Sequence, residues 1–298
     1  MRELPLRLAI LSTPRSGNIW VQHLLSALYH LERLAPNAPP YVSWHTLPPR
    51  CVLILHWRPE EQLRGRLRQH GFRWLTLARH PLDVLVSILH FVLHGPTDRW
   101  LLGQGGNEEA IVGVGPTSAA FLQYATGPRA AALLSITPAW WVCAEGLKLR
   151  YEDLVAHPET ELQRLVEALG VRPLRSINEA IAANGLDTIR ALHAPAAHHF
   201  WQGQPGLWRQ VLPAAVARAI AAAHPGPLTQ LGYTCDPDPT LSENRAEERW
   251  RELTWPGLVA DLQQHRLLRT ALRDLNTELA ALKAENHRLR HQQKLLPA

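Results

Sequence analysis

The sequence predicts an α/β fold with a central parallel sheet flanked by helices. Three observations lead there. Apolar strand-like runs alternate with amphipathic helix-like runs over most of the chain. The first strand-like run, Leu6–Leu11, passes through a short glycine-containing turn directly into a helical pattern that starts at Val21. That turn, Thr13-Pro14-Arg15-Ser16-Gly17-Asn18-Ile19-Trp20, has the chemistry of an anion site. Backbone N–H groups at a helix N-terminus point outward, the helix dipole favours negative charge, and Arg15 adds a fixed cation. The Gly-x-x-x-x-Gly-Lys-Ser/Thr pattern of a Walker loop is absent.

Each element follows from local chemistry. Strands are expected at Leu6–Leu11, Val52–His56, Arg73–Ala78 and Leu147–Arg150, all short apolar runs. A helix is expected over Val21–Leu34. A second opens at Pro59, Glu60 and Glu61, where proline and acids suit a first turn. A third begins near Pro81 and carries Val84, Leu85, Ile88 and Leu89 on one face. A fourth opens at Pro158, spaces Leu162, Leu165, Val166 and Leu169 helically, and stops at Gly170. Residues 95–117 contain six glycines and two prolines and read as a long loop. Further helices are expected between about 118 and 143 and near 213–223. The Asp-Pro-Asp-Pro run at 236–239 marks the end of a domain spanning 1–239, followed by a linker over 240–256.

The tail, 257–298, has a different pattern. Leu268, Leu275, Leu282 and Leu289 fall at d and Leu272, Leu279 and Asn286 at a of a heptad repeat. Glu278 and Glu285 then stand at g, each facing Lys283 or Arg290 at the following e of a parallel partner. The expectation is a long C-terminal coiled-coil helix and a homodimer through a parallel coiled coil over 258–296. A single amphipathic helix packed on its own domain would carry the same stripe. Trp255-Pro256-Gly257 interrupts the helix where the basic region of a zipper transcription factor would run.

Composition narrows the classes further. Hydrophobic residues make up 46% and charged residues 19% of the 298, which fits a globular protein. The net charge is +5, and only Lys148, Lys283 and Lys294 are lysine, so the positive charge is almost all arginine. The absence of a dense basic cluster or zinc-finger spacing argues against nucleic acid. Cys51, Cys143 and Cys235 are far apart and odd in number, which argues against a disulfide framework or a zinc site. No apolar stretch reaches membrane-spanning length. The expectation is a soluble, cytoplasmic protein without a metal or a membrane partner.

Three separated segments carry a family resemblance. TPRSGNIW at 13–20, LARHPLDVLVSILHF at 77–91 and LRYEDLVAHPE at 149–159 resemble, in this order, the cofactor-binding segments of sulfotransferases that use 3′-phosphoadenosine 5′-phosphosulfate (PAPS). FWQGQPGLW at 200–208 is a fourth, weaker match. The resemblance implies the P-loop NTPase-like sulfotransferase fold, PAPS as sulfate donor, and a small-molecule or glycan acceptor with a hydroxyl or amine.

It also assigns roles. The loop residues Arg15, Ser16, Gly17, Asn18, Ile19 and Trp20 would meet the 5′-phosphosulfate and the adenine. Arg15 stands where the family often has lysine, facing the oxygen on which charge grows. Asn18 and Ile19 replace two threonines, and Ile19 has no side-chain donor. Arg79 and Ser87, two helical turns apart, would hold the 3′-phosphate. Gln202 and Gly203 stand in the family's later basic loop without its cations. Tyr151 would join Trp20 at the adenine. His56, at the end of a predicted strand, would be the base that accepts the acceptor's proton, with His45 as its rival. Two other classes are open: a kinase on a related scaffold, which lacks a Walker lysine and a magnesium-holding set, and a non-catalytic nucleotide-binding or scaffolding protein assembled through its coiled coil.

Overall fold

The computed structural model describes residues 4–93, 108–192, 201–254, 273–275, 277–279 and 282–283. The chain runs β1 (Leu6–Leu11), α1 (Asn18–Tyr29), β2 (Glu32–Asn37), β3 (Arg50–Leu55), α2 (Glu61–Gln69), β4 (Phe72–Ala78) and α3 (Pro81–Phe91). After residues 94–107 come α4 (Ala119–Thr126), α5 (Pro128–Leu134), α6 (Ile136–Trp141), β5 (Leu147–Arg150), α7 (Tyr151–Ala156) and α8 (Pro158–Leu169). Then follow α9 (Ile177–Ala183), α10 (Leu186–Leu192), α11 (Trp208–Val211), α12 (Ala214–Ala223), α13 (Pro225–Leu231) and α14 (Glu243–Leu253).

The five strands form one sheet in the order β2-β3-β1-β4-β5, every pair parallel. The strand period of two sorts side chains onto two apolar layers. Leu8, Ile10, Val52, Ile54, Leu75 and Leu77 pack with Val21, Leu24, Leu25 and Leu28 of α1 and with α7 and α8. Ala9, Leu11, Cys51, Leu53, Leu55, Phe72 and Trp74 pack on the other face with α3, α4–α6 and α12. Both faces are covered, so the strands read as continuous apolar runs. Burial of each such leucine is worth roughly 1.5–3 kcal/mol.

The chain crosses from β3 over β1 to β4, so the loops leaving β1 and its neighbours diverge at their carboxyl ends. Open parallel sheets form their crevice there.

Three expectations change. The helix expected over Val21–Leu34 stops at Tyr29, because His30 turns left-handed (φ 51°) and returns its N–H to Ser26. Residues Glu32–Asn37 form edge strand β2 instead, with a register shift between Leu34 and Asn37 around Pro36. An edge strand tolerates the missing N–H of proline. Residues 108–111, expected in the long loop, form a short 3-10 turn, and 94–107 lie outside the described residues.

The stretch 240–256, expected as a linker, carries α14 as far as it is described. Ser242 caps it by accepting from Arg245 N, and Trp250 is fully buried in the same apolar layer as α3, edge-on to Trp201. In the tail, 273–275, 277–279 and 282–283 are helical, with Leu275, Leu279 and Leu282 exposed. These short pieces do not by themselves make a coiled coil. Asn286 and the rest of the expected seam lie outside the described residues.

Candidate active site

The turn after β1 is built without slack. Thr13 N donates to Thr137 Oγ1 at 2.7 Å, and Thr13 Oγ1 donates to Leu133 O at 3.0 Å. Asn18 Nδ2 closes the turn onto Thr13 O at 2.9 Å. Arg15 (φ 67°) and Gly17 (φ 97°) both lie in the left-handed region. At Gly17 a side chain is also excluded by space, since a Cβ there would sit 2.6 Å from the Tyr151 ring. Helix α1 starts at Gly17 with no side-chain cap and no acidic residue in its first turn. Its first N–H groups therefore keep their capacity for a ligand.

Two cations meet over this turn. Arg15 Nε donates to Ser87 Oγ at 3.2 Å, and its guanidinium lies 4.6 Å from the centre of the Phe91 ring. Arg79, from the end of β4, donates through Nη1 to Arg15 O at 3.0 Å and lies 4.5 Å over the Tyr151 ring. Burial, and then the charge of Arg79, push the Arg15 guanidinium down to about 9, partly offset by Tyr151. It is still a cation at neutral pH. Ser16 Oγ and Arg79 Nε are buried with no hydrogen-bond partner among the described residues. Buried donors of this kind are costly unless something accepts from them.

His56, just past β3, completes the other side. Its Nδ1 lies 2.8 Å from Ser12 O, which fixes Nδ1 as the donor and leaves the Nε2 lone pair as acceptor. Burial pushes its pKa down to about 4; Arg15 adds to this and the Ser12 contact opposes it. At neutral pH the ring is uncharged. His45 is exposed on a turn and does not line the cavity, so the rival histidine is separated from the site.

These groups share one cavity of about 490 Å³. Arg15, Gly17, Asn18, Ile19, Trp20, His56, Arg79, Ser87, Tyr151, Gln202 and Gly203 all line it. Ser16, expected among the cofactor-binding residues, is buried and does not itself line the cavity. Asn18 differs from expectation in one respect: its amide nitrogen is committed to Thr13, and the oxygen left over is itself an acceptor. Only its backbone N–H suits an anion. Among the described residues, no carboxylate lines the cavity.

Trp20 donates through Nε1 to Asn184 O at 3.1 Å and meets the Tyr151 ring edge-on at 6.1 Å. Tyr151 in turn donates to Gly203 O at 2.6 Å. The sequence alone did not single out Phe91 or Asn184 as part of the wall. Leu186 and Ile189 of α10 also line it.

No protein-family model and no curated protein matches the chain. Solved structures do. Mouse sulfotransferase SULT7A1 complexed with PAP aligns at TM-score 0.57 and 14% identity, covering 78% of this chain and 91% of that one. Retinol dehydratase in complex with retinol and PAP aligns at TM-score 0.51 and 16% identity, covering 76% and 82%. Retinol dehydratase with androsterone and the inactive cofactor PAP aligns at TM-score 0.50 and 17% identity over the same shares. The chain has the fold of these proteins: a five-stranded parallel sheet flanked by helices.

Proposed function

We propose that the protein transfers a sulfuryl group from PAPS to a hydroxyl or amine of a small-molecule or glycan acceptor. One observation carries this reading: Arg15, Arg79, Ser87 and His56 converge on a single cavity at the uncapped N-terminus of α1. The residues fit the donor. Two adjacent cations, a partnerless buried hydroxyl and a partnerless guanidinium N–H call for an anion with several oxygens. The solved structures of the same fold hold PAP.

On this reading the N–H groups of Ser16, Gly17 and Asn18 hold the 5′ end of the nucleotide. Arg79 and Ser87 hold the 3′-phosphate, and Trp20 and Tyr151 flank the adenine. PAPS, when bound, would supply the sulfuryl group, and PAP would leave with the electron pair of the broken sulfur–oxygen bond. Arg15, a cation at neutral pH, places positive charge against that developing charge. Its role is to stabilise charge, since it stays protonated at neutral pH. His56 takes the acceptor's proton at Nε2, and Ser12 O orients the ring through Nδ1. Positioning and electrostatics supply most of the acceleration.

The test is direct. PAP titrated into the protein in a calorimeter gives a saturable isotherm, and labelled PAPS with a panel of hydroxyl and amine acceptors gives labelled product. No PAP binding overturns the reading. A second reading, a nucleotide-binding scaffold without turnover, draws on Ile19 and Gln202, which replace a donor and a cation at the cavity wall. PAP binding with no transfer to any acceptor would favour it.

Two further elements belong to the proposal. The exposed Leu275, Leu279 and Leu282 and the heptad charges support a parallel homodimer through the tail. Three unpaired cysteines support a reducing compartment such as the cytoplasm. Among the described residues, no helix is long and apolar enough to cross a membrane.

A further inference from the structure

Asp83 lies in the first turn of α3 and is 1% exposed. It does not line the cavity. Its two carboxylate oxygens each accept from a different backbone group of one distant segment. Gly206 N donates to Oδ2 at 2.6 Å and Trp208 N donates to Oδ1 at 3.0 Å. Tyr151 OH donates to Gly203 O of the same segment. Residues 203–208 are therefore tied at three main-chain points, by one side chain after β4 and one after β5. The segment has little regular structure of its own. Gly203 (φ 69°) and Gly206 (φ 76°) both take left-handed conformations, and a Cβ on Gly203 would meet Leu186 at 3.1 Å. Its shape thus depends on outside anchors. Trp201, Gln202, Gly203 and Leu207 of this stretch form the wall of the cavity that faces Tyr151.

We propose that Asp83 is a positioning residue for the nucleotide, acting through Gly206 and Trp208 to hold the 202–207 wall against the cavity. The inference rests on the PAPS reading above. A buried carboxylate opposes the binding of an anion nearby, so its presence here requires a compensating role. Two lone-pair acceptors in one fork meet two N–H groups, which no neutral side chain of that length does. Asparagine would keep the shape but turn an NH₂ donor toward one of the two N–H groups, leaving a buried clash of donors. The N-terminal end of α3 stabilises the charge where it stands.

The test compares wild type with Asp83→Asn. Wild type binds PAP; folded Asp83→Asn, with unchanged circular dichroism, binds it roughly tenfold or more weakly. Its KM for PAPS rises by a similar factor, while kcat and the KM for acceptor stay within about threefold. A general loss of structure would move all of these together. Hydrogen exchange on wild type provides an arm that needs no variant. Amides of Gly206 and Trp208 exchange at least about tenfold more slowly than those of a frayed segment, and PAP slows them further. Wild type that binds no PAP sinks the function itself. Wild type that binds PAP while folded Asp83→Asn binds it equally well overturns the role of Asp83 alone. So do wild-type amides that exchange freely at 206 and 208.

Discussion

The Arg79 guanidinium donates to the backbone carbonyl of Arg15 at 3.0 Å, so the cation at the end of β4 holds the turn that follows β1. The two charges that would bind opposite ends of one nucleotide are mechanically joined. Each also rests on an aromatic ring, Phe91 under Arg15 and Tyr151 under Arg79. These contacts help to keep two like charges together.

The two arginines should nevertheless separate kinetically. Arg15→Ala is expected to lower kcat by about 10²–10³, the usual loss when a charge-stabilising donor is removed. PAP affinity should change much less. Arg79→Ala is expected to weaken PAP by about 2 kcal/mol, roughly 30-fold. Calorimetry with PAP and steady-state kinetics with PAPS check both, and a reversed pattern would exchange the two roles.

His56 predicts a pH dependence. Its folded pKa of about 4 lies below the ordinary 6.5. Between those values the unfolded chain binds this proton and the folded chain does not. Its contribution to stability is therefore present above pH 6.5 and is lost as pH falls toward 4. The acid limb of kcat/KM should fall near pH 4, with no break near 6.5. His56→Gln should cut kcat by about 10²–10⁴, leave PAP affinity within a few-fold, and flatten the drop in melting temperature between pH 6.5 and 4.

Gly17→Ala tests the turn. The left-handed backbone and the 2.6 Å approach to Tyr151 both oppose a methyl group. A loss of roughly 2 kcal/mol in stability is expected, along with weaker PAP binding, because Tyr151 must move. Thermal melts with and without PAP measure both.

Trp250→Ala tests whether the domain continues past residue 239. A fully buried tryptophan lost to alanine costs about 3–5 kcal/mol. Chemical denaturation should show that loss, whereas a tryptophan in a free linker would cost almost nothing.

Removal of residues 257–298 is expected to convert a dimer into a monomer in sedimentation, with PAP binding retained. Full-length protein that already sediments as a monomer would end the zipper proposal.

Much of this was readable locally. Leu6–Leu11, Leu147–Arg150 and the start of α3 at Pro81 follow from short apolar runs and a proline at the first helical position. The anion turn was readable because its chemistry lies within eight consecutive residues. Strand β2 was hidden because Leu31 and Leu34 continue the helical spacing of Leu28, and only the left-handed His30 breaks it. Helix α14 did leave a signal, Ser242 as a cap with Ala246 and Trp250 four apart, but it is polar elsewhere and resembles a solvated stretch. The parts of the site that could not be read, Asn184 beneath Trp20 and Asp83 beneath Gly206 and Trp208, act by bonds to distant backbone. Such bonds depend on the fold and leave no periodicity.

The strand order has an evolutionary corollary. The anion turn leaves the middle strand, β1; Arg79 and Tyr151 follow strands on one side of it, and His56 follows a strand on the other. On the proposed reading, one half of the sheet grips the donor and the opposite half presents the base. Descendants of such a chain can therefore remodel the half around β2 and β3 to accept new chemistry, while inheriting an intact nucleotide grip.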